Sequence, residues 1–164
     1  MAIEVREPES NFTPAPEGLH VAACCDVVDL GLRDTGFGEK HQVEIRWMLE
    51  DENERGLRYI VRRRYTASLS EKASLRKDLE TWRGRKFAPA ELKGFDLEKL
   101  LGAGCQVQVV HKMTDQGKTF ANVSAVIPLG KGQQSPGVSP DYIREVARAK
   151  GGAMAEADDE AVPF

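Results

Sequence analysis

The 164-residue chain has no apolar run approaching the ~20 residues that a membrane helix requires. Its start, Met1-Ala2-Ile3-Glu4-Val5-Arg6-Glu7, is acidic and holds no apolar core of a secretory signal, so a cytoplasmic protein is expected. Cysteine is scarce. Cys24, Cys25 and Cys105 are odd in number and lack C-x-x-C spacing, which predicts buried thiols in a reducing compartment. His20, Cys24 and Cys105 do not match any zinc-ligand spacing. Catalytic signatures are missing too: the chain has no phosphate loop, nucleophile elbow or plausible carboxylate pair. His20, His41 and His111 are scattered along it. Neither an enzyme nor a cofactor is expected.

The chain also lacks the strong positive charge of many nucleic-acid binders, since its net charge is -3. The distribution matters more than the sum. Residues 1–17 hold four glutamates against Arg6, and residues 151–164 hold Glu156, Asp158, Asp159 and Glu160 without a base. The middle, residues 18–150, is left with 22 basic and 18 acidic residues, a net +4. A basic centre with acidic ends suggests an anionic ligand for the folded part.

Pro8, Pro14 and Pro16 predict a flexible arm over residues 1–17. From Gly18 the pattern becomes that of strands. Leu19, Val21, Ala23, Cys25 and Val27 alternate, and Val43, Ile45, Trp47 and Leu49 alternate with Glu44, Arg46 and Glu50. A third strand is expected from about Arg58 to Thr66. The period then changes: Ser68 with Glu71 fits a capping box, and Leu75, Leu79 and Trp82 follow at helical spacing before Gly84. A short helical piece near Asp96–Leu101 precedes two further strands. These are joined by Asp115-Gln116-Gly117-Lys118, a turn with glycine at the position needing positive φ. Three strands, a helix, then two strands is the order of an OB-fold: an all-β, five-stranded barrel with a helical insertion between strands 3 and 4. The barrel is assigned to residues 18–129. Residues 130–150 read as a linker with a short helix begun by Ser139-Pro140, and 151–164 as a disordered acidic tail.

Single-stranded DNA is held by cations along its phosphates and by aromatic rings stacked on its bases. The third strand offers Tyr59, Arg62, Arg63, Arg64 and Tyr65 in a short space. Alternation places Tyr59, Val61, Arg63 and Tyr65 on one face and Arg58, Ile60, Arg62 and Arg64 on the other. In the fifth strand Phe120 shares a polar face with Lys118, Asn122 and Ser124, which favours base contact over core packing. Trp47 and Trp82 follow apolar faces and are expected in the core. The loops after the first and fourth strands add Arg33, Phe37, Lys40, Lys112 and Lys118.

The chain closes on Asp158-Asp159-Glu160-Ala161-Val162-Pro163-Phe164. This resembles the C-terminal tip of bacterial and phage single-stranded-DNA-binding proteins, an arm ending in clustered acids and Pro-Phe. Residues 65–111, with Trp82-Arg83-Gly84-Arg85, more loosely resemble phage replication-module proteins. The resemblance implies that Phe164 enters an apolar pocket on a partner and Pro163 orients it. Asp158, Asp159 and Glu160 would steer the encounter. It implies single-stranded DNA and enzymes of replication, recombination and repair as partners, with homo-oligomers possible. An adaptor that engages host repair proteins through the tail, without holding DNA, is the alternative.

Overall fold

The computed structural model describes residues 14–149, with side chains through 147. The expected order is present: β1 (Gly18–Thr35), β2 (Gly38–Glu52), β3 (Arg58–Thr66), α1 (Ser74–Arg83), two 3-10 turns (Glu91–Lys93 and Leu97–Leu100), β4 (Gly104–Met113), β5 (Thr119–Ile127) and α2 (Glu145–Ala149). The strands form one antiparallel sheet in the order β3-β2-β1-β4-β5. Its edges, β3 and β5, come within 8 Å of each other but are not joined by a ladder. α1 packs against both edge strands. No described helix is long and apolar enough to cross a membrane.

The core follows the β2 pattern as expected, with Val43, Ile45, Trp47 and Leu49 all buried. α1 lays Leu75, Leu79 and Trp82 against them, and the two indoles meet at 6.1 Å. Trp82 also donates its Nε1–H to the carbonyl of Gly104, which satisfies the polar end of a buried ring. The helix ends where Gly84 takes a left-handed conformation (φ 73°). Its start differs from expectation. Ser68 Oγ accepts the N–H of Ser70 in a local turn, and the helix begins six residues later, behind Ala73. Serine satisfies its own neighbourhood here and leaves no capping box.

β1 departs from simple alternation. Leu19 is exposed, while Ala22 and Cys24 face the core. Register then slips: Cys24 pairs with Trp47 and Asp26 with Arg46, leaving Cys25 as an extra residue. Without this bulge, Asp26 would share the core side of Cys24 and bury a carboxylate among apolar groups. With it, Asp26 turns to the outer face beside Arg46, and Val27 joins the core side opposite Ile45. β5 bulges likewise at Ser124, so Val123 and Val126 both reach the core while Ala125 does not.

Both flanks of the sheet are more ordered than their composition suggested. Ala15, in the expected flexible arm, is buried in the core cluster, and its carbonyl accepts a 2.6 Å hydrogen bond from His111 Nε2. Residues 130–147 are not a free linker. They cross the outer face of the sheet, passing so near Gly104 that a Cβ there would lie 2.7 Å from Leu129 Cδ1 and Ser135 Cβ. Ser139 donates its N–H to the buried sulfur of Met48, and Ala147 is buried. The helix expected from Ser139-Pro140 starts only at Glu145, because its cap is supplied from β1. Asp26 Oδ2 accepts the N–H of Glu145 at 2.9 Å and the hydroxyl of Tyr142 at 2.8 Å, and Oδ1 accepts Arg144 Nε at 3.1 Å. A fully buried carboxylate thereby gains three donors. The tail residues Asp158, Asp159, Glu160, Pro163 and Phe164 lie outside the described residues.

Candidate nucleic-acid interface

Three arginines on one short strand must divide between its faces, and β3 resolves the conflict by register. Val61 and Tyr65 lie on the core side, opposite Trp47 and Val43. Tyr65 is only 2% exposed and donates its hydroxyl to Asp78 Oδ2 at 2.6 Å. Burial, then the neighbouring Asp78 charge, holds its phenol well above the ordinary range. A ring so enclosed has no free face for a base, which removes Tyr65 from the stacking candidates. Arg63 shares that side, pairs with Asp78 at 3.0 Å and lies over the Tyr65 ring. It closes the seam between β3 and α1 while remaining about one-third exposed, at 31%. Tyr59 is half-buried against the core.

The opposite face is basic. Arg62 and Arg64 are exposed and sit across from Arg46 and Glu44 of β2. β2 runs without a bulge from Gly38 to Met48, so Lys40, Gln42, Glu44, Arg46 and Met48 point the same way. Glu44, nearly buried, is held between Arg46 (2.7 Å) and Arg64 (3.3 Å). Beyond Gln42 only β1 and β2 continue, as a two-stranded ribbon. Arg33 lies directly opposite Lys40 on the outer side, and Asp34 opposite Glu39 on the other. Like charges placed directly across a ladder are destabilising. The ribbon therefore carries one basic and one acidic face at a cost to itself, and an anion on the basic face would relieve part of it. At the tip Phe37 is 92% exposed, held out by a turn in which Thr35 Oγ1 accepts its N–H.

A second group sits on the β4–β5 hairpin. Lys112 pairs across the ladder with Phe120, with Asn122 on the same face, and Phe120 is 46% exposed. Lys118 is exposed beside them, where the hairpin turns through Gly117 at φ 78°. The candidates thus separate into three groups. Arg33, Lys40, Arg62 and Arg64 share the outer face of β1–β2–β3, with Phe37 at its tip. Lys112, Lys118 and Phe120 share the second hairpin. Tyr59, Arg63 and Tyr65 face inward.

A comparison with protein-family models finds no match for the chain, and a search of curated proteins finds none either.

Arg46, Asp26, Tyr142, Arg144 and Glu145 were not among the residues singled out from sequence. Arg46 alternates with the apolar residues of β2 like any solvated side chain, and the segment that covers it comes from 96 or more residues away. The one local signal is that Asp26 interrupts the apolar run from Val21 to Val28.

Proposed function

We propose that the chain binds single-stranded DNA in the cytoplasm, gripping phosphates on the outer face of β1–β2–β3 and stacking bases on exposed rings at its hairpins. One observation carries this: a row of cations on one sheet face leads to an almost fully exposed phenylalanine. Cations tracking a backbone beside a bare ring is the pattern that unpaired strands require, since every base offers a π-face. Duplex DNA would hide those faces. The strand order and the approach of β3 to β5 support an OB-type barrel, in which strands 2 and 3 and the hairpin loops form the ligand surface. On this view the chain resembles phage-type single-stranded-DNA-binding proteins. It protects DNA during replication, recombination or repair, and its acidic Pro-Phe tail recruits partner enzymes.

The salt dependence of binding tests the face. If Arg33, Lys40, Arg62 and Arg64 each neutralise one phosphate, log K for oligo-dT falls with log[salt] at a slope of about -3, from roughly 0.7 per contact on single strands. Salt-independent binding, or none at low salt, would reject it.

The tail is tested separately. Phe164→Ala is expected to abolish pull-down of replication and repair enzymes while leaving oligo-dT affinity and melting temperature unchanged. A variant that retains its partners would remove the tail from the proposal. A chain that keeps its partners but never binds oligo-dT would instead be an adaptor.

A further inference from the structure

Arg46 lies where the basic face passes beneath the C-terminal segment. Its Nε and NH2 both reach Glu44 Oε2 at 2.7 Å, and its NH1 reaches Glu145 Oε2 at 2.5 Å, with the buried Asp26 Oδ2 further off at 3.9 Å. The two carboxylates within hydrogen-bond reach differ in kind. The Glu44 side chain is 2% exposed and belongs to the packed sheet, whereas that of Glu145 is 45% exposed. Burial opposes the charge of Arg46, yet these two carboxylates together hold its guanidinium above its ordinary pKa. The backbone of Glu145 is fixed independently, through its N–H on Asp26. Its carboxylate can therefore leave Arg46 while the segment stays in place. The Arg46 side chain is only 12% exposed, so the pair is open to solvent on its Glu145 side alone, and a displacing anion must approach from there.

Arg62 is the cross-strand neighbour of Arg46 on the same face. An anion that reached Arg46 NH1 would meet a second guanidinium on the adjacent strand. A phosphate, with several acceptor oxygens, suits two planar donors better than one carboxylate does. We propose that Arg46 is a further phosphate site of this face, closed by the Glu145 side chain until a DNA phosphate displaces it. The site extends the row of Lys40, Arg62 and Arg64 under the edge of the C-terminal segment. It rests on the single-stranded-DNA reading above. Glu145 acts as a gate: it lowers affinity for weak anions and yields to a polyanion already held by its neighbours.

The test uses the full-length chain, fluorescence anisotropy with labelled oligo-dT, and a salt series. Glu145→Gln keeps the backbone cap on Asp26 and removes the competing charge. Its affinity at low salt is expected to rise about two- to fivefold, the range for losing one ion pair whose carboxylate is solvent-exposed. Glu98→Gln is the control. It removes the same charge from another exposed carboxylate near the segment, one paired with Arg144 instead of Arg46. An equal gain in both variants would show a general charge effect and overturn the gate. In an Arg46→Lys background, which keeps a cation for Glu44 but loses the NH1 arm, Glu145→Gln should add nothing. A gain that persists there would also overturn the proposal. Wild-type chain that binds no oligo-dT at any salt would instead reject the DNA-binding function, and this site with it.

Discussion

Asp26→Ala should cost the fold about 3–5 kcal/mol, the usual penalty for breaking a buried charge pair by removing one partner. The carboxylate is fully buried and serves Tyr142, Arg144 and the N–H of Glu145 at once. Its removal strips the cap from α2 and leaves Arg144 only Glu98 and the Val27 carbonyl. The C-terminal segment should then leave the sheet. Cys25 reports this directly, because its thiol is buried under the segment and donates to the Arg46 carbonyl. Burial, then the charge of Asp26, pushes that thiol up to about 12, so it reacts slowly in the native protein. Chemical denaturation would give the stability loss, and maleimide labelling with peptide mapping would give Cys25 accessibility. A loss below about 1 kcal/mol, with Cys25 still protected, would mean that other contacts hold the segment.

The largest effect on binding is expected from Phe37→Ala. Loss of one base–aromatic stack costs about 1–3 kcal/mol, which is roughly five- to 150-fold in affinity for oligo-dT. The ring is 92% exposed, so the melting temperature should not move. Phe120→Ala should behave in the same direction with a smaller effect, since its ring is already half-covered. Tyr65→Ala makes the informative contrast. That ring is core, so its removal should destabilise the protein by about 3–5 kcal/mol while the folded fraction keeps its affinity. Calorimetry beside anisotropy separates the two behaviours. Unchanged affinity in Phe37→Ala would move base contact away from the ribbon tip.

Some features were decided by the sequence alone because they depend on neighbours a few residues apart. The alternation of Val43, Ile45, Trp47 and Leu49 assigns the core face of β2, although Glu44 and Met48 on its other face are buried as well. The spacing of Leu75, Leu79 and Trp82 picks the buried side of α1, with Gly84 ending it in a left-handed conformation that costs glycine nothing. The polar company of Phe120 along its strand was enough to leave that ring half-exposed. Phe37 was legible as a residue of the loop after the first strand, between Gly36 and Gly38, but not how far its ring stands out.

Other features were decided only when distant strands paired. A period of two cannot show a bulge, and one extra residue reverses every side chain beyond it. The apparent alternation from Leu19 to Val27 is therefore read on the wrong side until Cys25 is known to slip against β2. Tyr65 and Arg63 carry the residue types of a binding strand, but their face is set by pairing with Val43 and Ile45 and by Asp78 on α1. The segment after Pro128 has the composition of a linker, and no local signal holds it down. A single carboxylate on β1, more than a hundred residues earlier, provides the hydrogen bonds that place it. Composition records how much apolar surface a segment can bury by itself. It cannot record a buried charge waiting elsewhere for three donors, and here that charge decides where the chain lies.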